Sequence, residues 1–270
     1  MKKTLLAAGI LLATTSLKVN AQDQGFHAGL TTGYYYTTIL DKGLFDSPTY
    51  DHQTTFRAAP IGLALGYQWE GGNGIQVEVI SAKIGQEMDI KTLDAPGGNF
   101  IVSGKKEINL NYIQIPVLFK KQFGEGKAKF NFHLGPQISL MGKGQDVETF
   151  SLSPVIYTGT GDNYQSETPG EEKIIGSTEK GDNAEYEFNK TAIGGLVGFG
   201  VDYFFNENLY LSGNLRLGYN FTEIRKEEGG SKFVDTATNT SSEQVKLYQS
   251  ELRSAAFGGI QIGIHYMFLQ

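Results

Sequence analysis

The stretch Leu209-Tyr210-Leu211-Ser212-Gly213-Asn214-Leu215-Arg216-Leu217-Gly218-Tyr219-Asn220-Phe221 decides the fold. Leu209, Leu211, Leu215, Leu217, Tyr219 and Phe221 fall on one face, and Tyr210, Ser212, Asn214, Arg216, Gly218 and Asn220 on the other. A period of two belongs to a β-strand, whose successive side chains point to opposite faces. A soluble sandwich alternates as well, so the period alone does not name the solvent. The apolar face ends in aromatics, as a membrane girdle requires, while the face with Arg216 suits a narrow polar lumen.

Working outward, the alternation recurs seven more times. Gly25 to Tyr36, Phe56 to Glu70, Ile75 to about Met88, Glu107 to Phe123, Lys127 to Met141, Glu187 to Phe205 and Ser250 to Leu269 all read as strands. Pro116 sits inside the fourth, where a central strand needs a bulge or an unpaired position to absorb the missing N–H. Aromatics close the apolar faces at Tyr67 and Trp69, Tyr203, Tyr219 and Phe221, and Tyr266 and Phe268.

The breaks fall into two classes. Short ones lie at 70–74, 123–126 and 206–208, and long ones at 37–55, 89–106, 142–186 and 225–249, in strict alternation. Short periplasmic turns alternating with long external loops are the signature of an outer-membrane barrel. A closed ladder is also the only sheet that satisfies its backbone in lipid. The expectation is an all-β, eight-stranded, antiparallel up-and-down transmembrane β-barrel spanning residues 22–270, with both termini periplasmic.

Composition and the N-terminus agree. Of 270 residues 40% are hydrophobic, yet Gly 35, Tyr 14 and Phe 17 are high. After the N-terminus no run approaches the roughly 20 apolar residues of a membrane helix. Residues 1–21 read as a signal peptide: Lys2 and Lys3, an apolar run from Leu5 to Ala13, and a small-residue site at Val19-Asn20-Ala21. Its removal takes away Lys2, Lys3 and Lys18, moving the net charge from −6 to −9. An acidic mature chain argues against a nucleic-acid partner. The absence of cysteine excludes a disulfide scaffold, a thiolate metal site and a lipidated cysteine.

With the strands placed, the chain resembles the PorT-like small outer-membrane barrels of Bacteroidetes. The resemblance lies in the hairpin Tyr112-Ile113-Gln114-Ile115-Pro116-Val117-Leu118-Phe119-Lys120, continued by Phe132-His133-Leu134-Gly135-Pro136, and in the aromatic alternation ending at Phe268. It implies an outer-membrane barrel, with one branch linked to protein export and gliding.

Candidate site residues form a lumen polar network of Glu78, Lys120, His133, Asp202, Arg216 and His265, joined by Arg253 and His27. Charges inside a narrow barrel must be paired or hydrated. No catalytic, cofactor or metal set is expected. His52, with Asp51 and Ser47, is the one external hydrolase candidate, but adjacent residues rarely form a triad. Gly159 to Asn163 and Gly181-Asp182-Asn183 lack the spaced oxygen ligands of a calcium loop. Asp235-Thr236-Ala237 matches a short O-glycosylation pattern at Thr236.

The functional expectation is a structural or interaction barrel displaying acidic external loops. Its partners would be outer-membrane lipids, lipopolysaccharide and a protein met through the loops, with Asp146 and Glu148 in the acidic 142–186 surface. The alternatives are a narrow transport or export-associated barrel, and a membrane-embedded lipid-modifying enzyme.

Overall fold

The computed structural model describes residues 24–47, 49–93, 100–150, 156–157, 164–165, 172–178, 184, 186–226 and 252–268. The expected signal peptide and Thr236 lie outside the described residues. The strands are β1 (Gly25–Leu40), β2 (Tyr50–Gln53), β3 (Phe56–Gln68), β4 (Asn73–Leu93), β5 (Phe100–Phe123), β6 (Ala128–Phe150), β7 (Ile156–Tyr157), β8 (Tyr164–Gln165), β9 (Glu172–Ser177), β10 (Tyr186–Glu187), β11 (Thr191–Phe204), β12 (Leu209–Asn220) and β13 (Ser254–Phe268). One helical turn, α1 (Lys42–Phe45), joins β1 to β2.

Eight strands close a ring in the order β1, β3, β4, β5, β6, β11, β12, β13 and back to β1, every pair antiparallel. This is the expected eight-stranded barrel. Its burial is inverted relative to a soluble protein: Leu65 is 64% exposed and Phe130 67%, while Arg216 is 1% and Glu78 0% exposed. From Ile193 to Tyr203 the outer face of β11 is apolar. At roughly 3.3 Å per residue and a tilt near 40° that run is about 25 Å tall, the height of a lipid band.

Tight connections gather at one end of the barrel. Gly71 and Gly72 take φ of 80° and 81°, a left-handed conformation that costs glycine little. A Cβ at Gly72 would meet the Gln122 carbonyl oxygen at 2.6 Å, so this turn also needs the missing side chain. Pro116 falls where the β4–β5 register skips Glu78, Val79, Ile115 and Pro116, so its missing N–H breaks no pair on that side.

At the opposite end β4, β5 and β6 run on past the apolar band, flanked by β2 on β4 and by β9 and β10 beyond β6. The expected breaks at 89–106 and 142–186 are thus partly strand. On β6 the continuation passes through a bulge at Gly142. Tyr112 pairs Met141 but Asn111 pairs Lys143, so Gly142 is extra and the alternation changes parity. Ile138 and Leu140 point outward before it, and Lys143 points outward after it. Asp146 and Glu148 consequently turn inward. The expectation that they belong to a solvated acidic surface is corrected: Asp146 is 0% and Glu148 8% exposed.

The interior of this extension is apolar. Ile39, Leu44, Ile84, Met88, Ile108, Leu110, Tyr112, Met141 and Phe188 pack as one core. A polar-cored barrel in the lipid band thus gives way to an apolar-cored cap above it.

Candidate functional site: two buried polar layers

The first layer fills the lumen within the lipid band. Glu78 on β4 and Arg216 on β12 stand on opposite sides of the eight-membered ring, and their side chains meet across its diameter. Arg216 donates through Nη1 to Glu78 Oε2 at 2.8 Å and through Nη2 to Oε1 at 2.6 Å. Gln261 donates to the same carboxylate at 3.2 Å, and Gln76 donates to it as well. A bidentate pair of this kind is stronger and more directional than a single charged hydrogen bond.

Nearer the turn end, Lys120 pairs with Asp202 at 2.7 Å, and Asp202 also accepts from Gln122 at 2.6 Å and Asn131 at 3.0 Å. His133 Nδ1 lies 3.1 Å from Asn131 Oδ1. His265 stacks on Tyr210 at 4.6 Å between ring centres and lies 2.9 Å from Ser212 Oγ through Nε2. His27 Nδ1 is 3.0 Å from the Tyr210 hydroxyl. The six residues singled out as a lumen network are therefore all buried inside the barrel, in two linked groups around Glu78–Arg216 and Lys120–Asp202. Gln76, Lys120, His133, Ser212, Asn214, Arg216 and His265 leave no room for a water-sized body among them. Small eight-stranded barrels have interiors that side chains can fill.

The second layer lies in the cap, beyond the lipid band, and the sequence reading did not assemble it. Lys106 on β5 pairs with Asp146 at 2.8 Å and Glu148 at 3.0 Å, both on β6. Tyr50 on β2 donates to Glu148 at 2.8 Å, and Tyr186 on β10 to Asp146 at 2.6 Å. Arg253, just before β13, bonds Asp41, just after β1, and donates to the Tyr186 hydroxyl at 2.9 Å. Arg253 thus belongs to the cap rather than to the lumen. Burial opposes ionisation of Asp41, yet the adjacent Arg253 guanidinium wins and holds its carboxyl below the ordinary value. Burial first, and then the Asp146 charge, push the Tyr186 hydroxyl well above its usual value, so it remains a donor. The missed signal was the extra residue: by number Asp146 and Glu148 continue the period of two of Phe130 to Leu140, and the bulge at Gly142 moves that period to the opposite face.

The Ser212–His265 pair is sealed from lipid, and His265 Nδ1 has no hydrogen-bond partner among the described residues. His52 Nε2 meets the Leu44 carbonyl at 3.2 Å and its ring stacks on Phe45, while Asp51 pairs with Lys91 at 2.6 Å. Among the described residues no three His, Asp or Glu side chains are grouped to hold a metal ion.

The girdle residues lie on the outer surface at both rims. At the turn end Phe26 packs on Tyr67 and Tyr67 on Trp69, with Tyr203 on Phe205 and Tyr266 on Phe268. At the other rim Tyr34 stacks on Phe56 and Tyr219 packs on Phe221. Between them a shallow apolar groove crosses β6, β11 and β12, lined by Phe132, Pro136, Gly194, Gly195, Gly218 and Phe221 among others.

Comparison with known proteins gives a family and an architecture. Residues 20–226 match the family described as outer membrane protein beta-barrel domain. No curated protein sequence matches the chain. Among solved structures it is similar to Neisserial surface protein A (11% identity, 90% of this chain and 97% of that one, TM-score 0.42). It is also similar to the attachment invasion locus protein Ail of Yersinia pestis (11%, 91% and 99%, 0.37) and to OprG of Pseudomonas aeruginosa (11%, 94% and 100%, 0.39).

Proposed function

Since this chain belongs to the outer membrane protein beta-barrel domain family, we propose that it is a sealed barrel of the outer membrane whose task is structural or interactive, performed by the cap and loops it holds outside the cell. Its outer-membrane location and its contact with lipid follow from the family and the barrel. In this reading residues 1–21 direct export and the turn end faces the periplasm.

The observation that carries the proposal is the double closure. Glu78 and Arg216 bridge the lumen, and the apolar core around Ile84, Met88, Ile108 and Leu110 stands above them. An ion crossing would have to break a buried charge pair and then traverse apolar packing. Either step alone is costly. The reconstituted protein should therefore show no conductance steps in a planar bilayer, whereas Glu78→Ala/Arg216→Ala combined with removal of the cap should. Stepwise conductance by the unaltered protein would replace this reading with the transport one.

A second reading, a narrow transport or export-associated barrel, has one observation behind it. Gln76 Oε1, His133 Nε2, Asn214 Oδ1, Gln261 Oε1 and His265 Nδ1 are buried lumen atoms without hydrogen-bond partners among the described residues, a row that could pass polar cargo if the ion pair swung aside. The finer PorT-like assignment rests on the Tyr112 to Lys120 and Phe132 to Pro136 segments, which here make adjoining parts of β5 and β6. Lipopolysaccharide and a protein partner remain the interaction classes this reading implies.

A further inference from the structure

We infer that the rim of the barrel on β4, β5 and β6 carries a binding site for the phosphate of a lipid in the adjacent leaflet, formed by Lys83, Asn111 and Lys143. This rests on the membrane placement proposed above, since the row has meaning only at a lipid boundary.

The three residues make one row across three neighbouring strands. Lys83 pairs with Asn111 across β4–β5, and Asn111 with Lys143 across β5–β6. Adjacent strands lie about 4.8 Å apart, so the lysine backbones stand about 10 Å apart with the asparagine amide between them. Two flexible lysines can converge over that centre, and an amide N–H₂ adds neutral donors. All three side chains are exposed.

Their height on the barrel is the second observation. Among the described residues Ile113 on β5 and Leu140 on β6 are the last exposed large apolar side chains of these strands, 42% exposed each. The lysine row follows immediately. At this rim the girdle is aromatic on β1, β3 and β12, with Tyr34, Phe56 and Tyr219. Among the described residues β4, β5 and β6 expose no aromatic there, and lysines stand in that gap. The bulge at Gly142 is what delivers Lys143 to the outer face; unbroken alternation would have turned it inward.

The third observation is the charge balance. Among the described residues neither Lys83 nor Lys143 has a carboxylate within ion-pair distance. The next acids outward, Glu87 and Glu107, are engaged: Glu87 pairs with Arg57 at 2.8 Å, and Glu107 accepts from Asn109 at 3.2 Å. The rim therefore presents two uncompensated cations at headgroup level, on a chain whose net charge is −6. A lipid phosphate satisfies both, while its acyl chains lie along Ile113 and Leu140 below.

The test uses the full chain folded into phosphatidylcholine vesicles doped with diphosphoryl lipid A, re-extracted in detergent, with lipid A per protein counted by mass spectrometry. Only the heat-modifiable, folded band is scored, so failed insertion is seen separately from lost lipid. A lysine near an anionic surface contributes about fivefold in affinity, so Lys83→Gln/Lys143→Gln should lower retention roughly 25-fold. Lys83→Arg/Lys143→Arg should retain the lipid, and so should Lys91→Gln/Lys105→Gln, which removes equal charge farther out. Unchanged retention in the glutamine pair overturns the site, as does equal loss in the outer control. Displacement of the lipid by millimolar inorganic phosphate would show a free-anion site instead and also overturn it. If the glutamine pair does not insert, Lys143→Gln alone, expected to lose about fivefold, decides. Protease cleavage of whole cells reads the orientation of the barrel independently.

Discussion

Arg216 and Glu78 are buried in the middle of the membrane band, and neither can exist there alone. Removing one partner of a buried pair costs about 3–5 kcal/mol, whereas replacing both by apolar groups is often neutral. Arg216→Met should therefore lower the urea midpoint of the folded barrel strongly, and Glu78→Leu/Arg216→Met should recover most of the loss; equal losses would mean the two do not act as a pair. On the opposite face the solvent rule reverses. Leu215 is 42% exposed to lipid, so Leu215→Arg should cost roughly 2–4 kcal/mol of insertion free energy, against little for Leu215→Phe or for Asn214→Gln in the lumen. Comparable insertion yields for all three would reverse the face assignment. In the cap, the carboxyl of Asp41 sits below its ordinary value of 3.8 because Arg253 outweighs burial. A lowered folded value favours the folded state above 3.8, and that contribution disappears as pH falls through the folded value, below 3.8. Amide exchange around Asp41 to Tyr50 should stay slow down to about pH 4 and quicken below it, and Asp41→Asn should remove the dependence.

At the scale of elements, the transmembrane halves of the strands were legible and their continuations were not, for one physical reason. Within the lipid band a strand such as β12 keeps a single parity, large apolar out and small or polar in, so Leu209 to Phe221 announces itself. Beyond the band the outside is water and the inside is apolar, so the burial code reverses: Ile84, Met88, Ile108 and Leu110 face inward where Glu78, Lys120 and Gln114 did. A reading tuned to apolar-out residues ends each strand at the rim. The Gly142 bulge compounds this by shifting the phase of β6, which made Asp146 and Glu148 look like loop acids. In the same way the lumen residues could be named from the sequence, but their pairing across the ring required the register. Two deletions test the bulge directly. Removing Gly142 alone makes Lys143 follow Met141 in unbroken alternation, so Lys143 stays outward, Asp146 and Glu148 stay inward, and barrel and cap should both persist. Removing Gly142 and Lys143 together makes Gly144 follow Met141 and turns Asp146 and Glu148 outward; the heat-modifiable barrel should persist, because residues Ala128 to Met141 keep their partners, while the cap should become protease-sensitive as Lys106 loses its carboxylates. A cap as resistant after the double deletion as in the unaltered chain would show that the bulge does not set the phase.

The whole molecule is two solvent regimes on one set of strands, and that determines which part of the 142–186 segment can be removed. Residues 145–184 contain Asp146, Glu148 and β9, and Tyr186 leans on Asp146, so excising that span leaves Lys106 buried without its carboxylates. Residues 151–171 are different. They include β7 and β8, which among the described residues form a separate two-stranded sheet, and they connect strands already opposed, because Thr149 pairs with Glu172. Joining Phe150 to Glu172 through Asn-Gly makes a three-residue hairpin loop, a common connection for antiparallel strands. Shortening a loop changes closure entropy by only about 0.6 kcal/mol per halving of length. The 151–171 deletion should thus yield a heat-modifiable barrel with an intact cap, whereas the 145–184 deletion should yield a barrel whose cap is digested. Protease added to whole cells should cut the unaltered chain within 151–171 and spare the turns near Gly71, Gly126 and Asn206. It should leave the shortened chain uncut in that region. Cleavage that appears only after the outer membrane is ruptured would place the cap on the periplasmic side. Equal damage from the two deletions would mean that the buried cluster of Lys106, Asp146 and Glu148 does not hold the cap together.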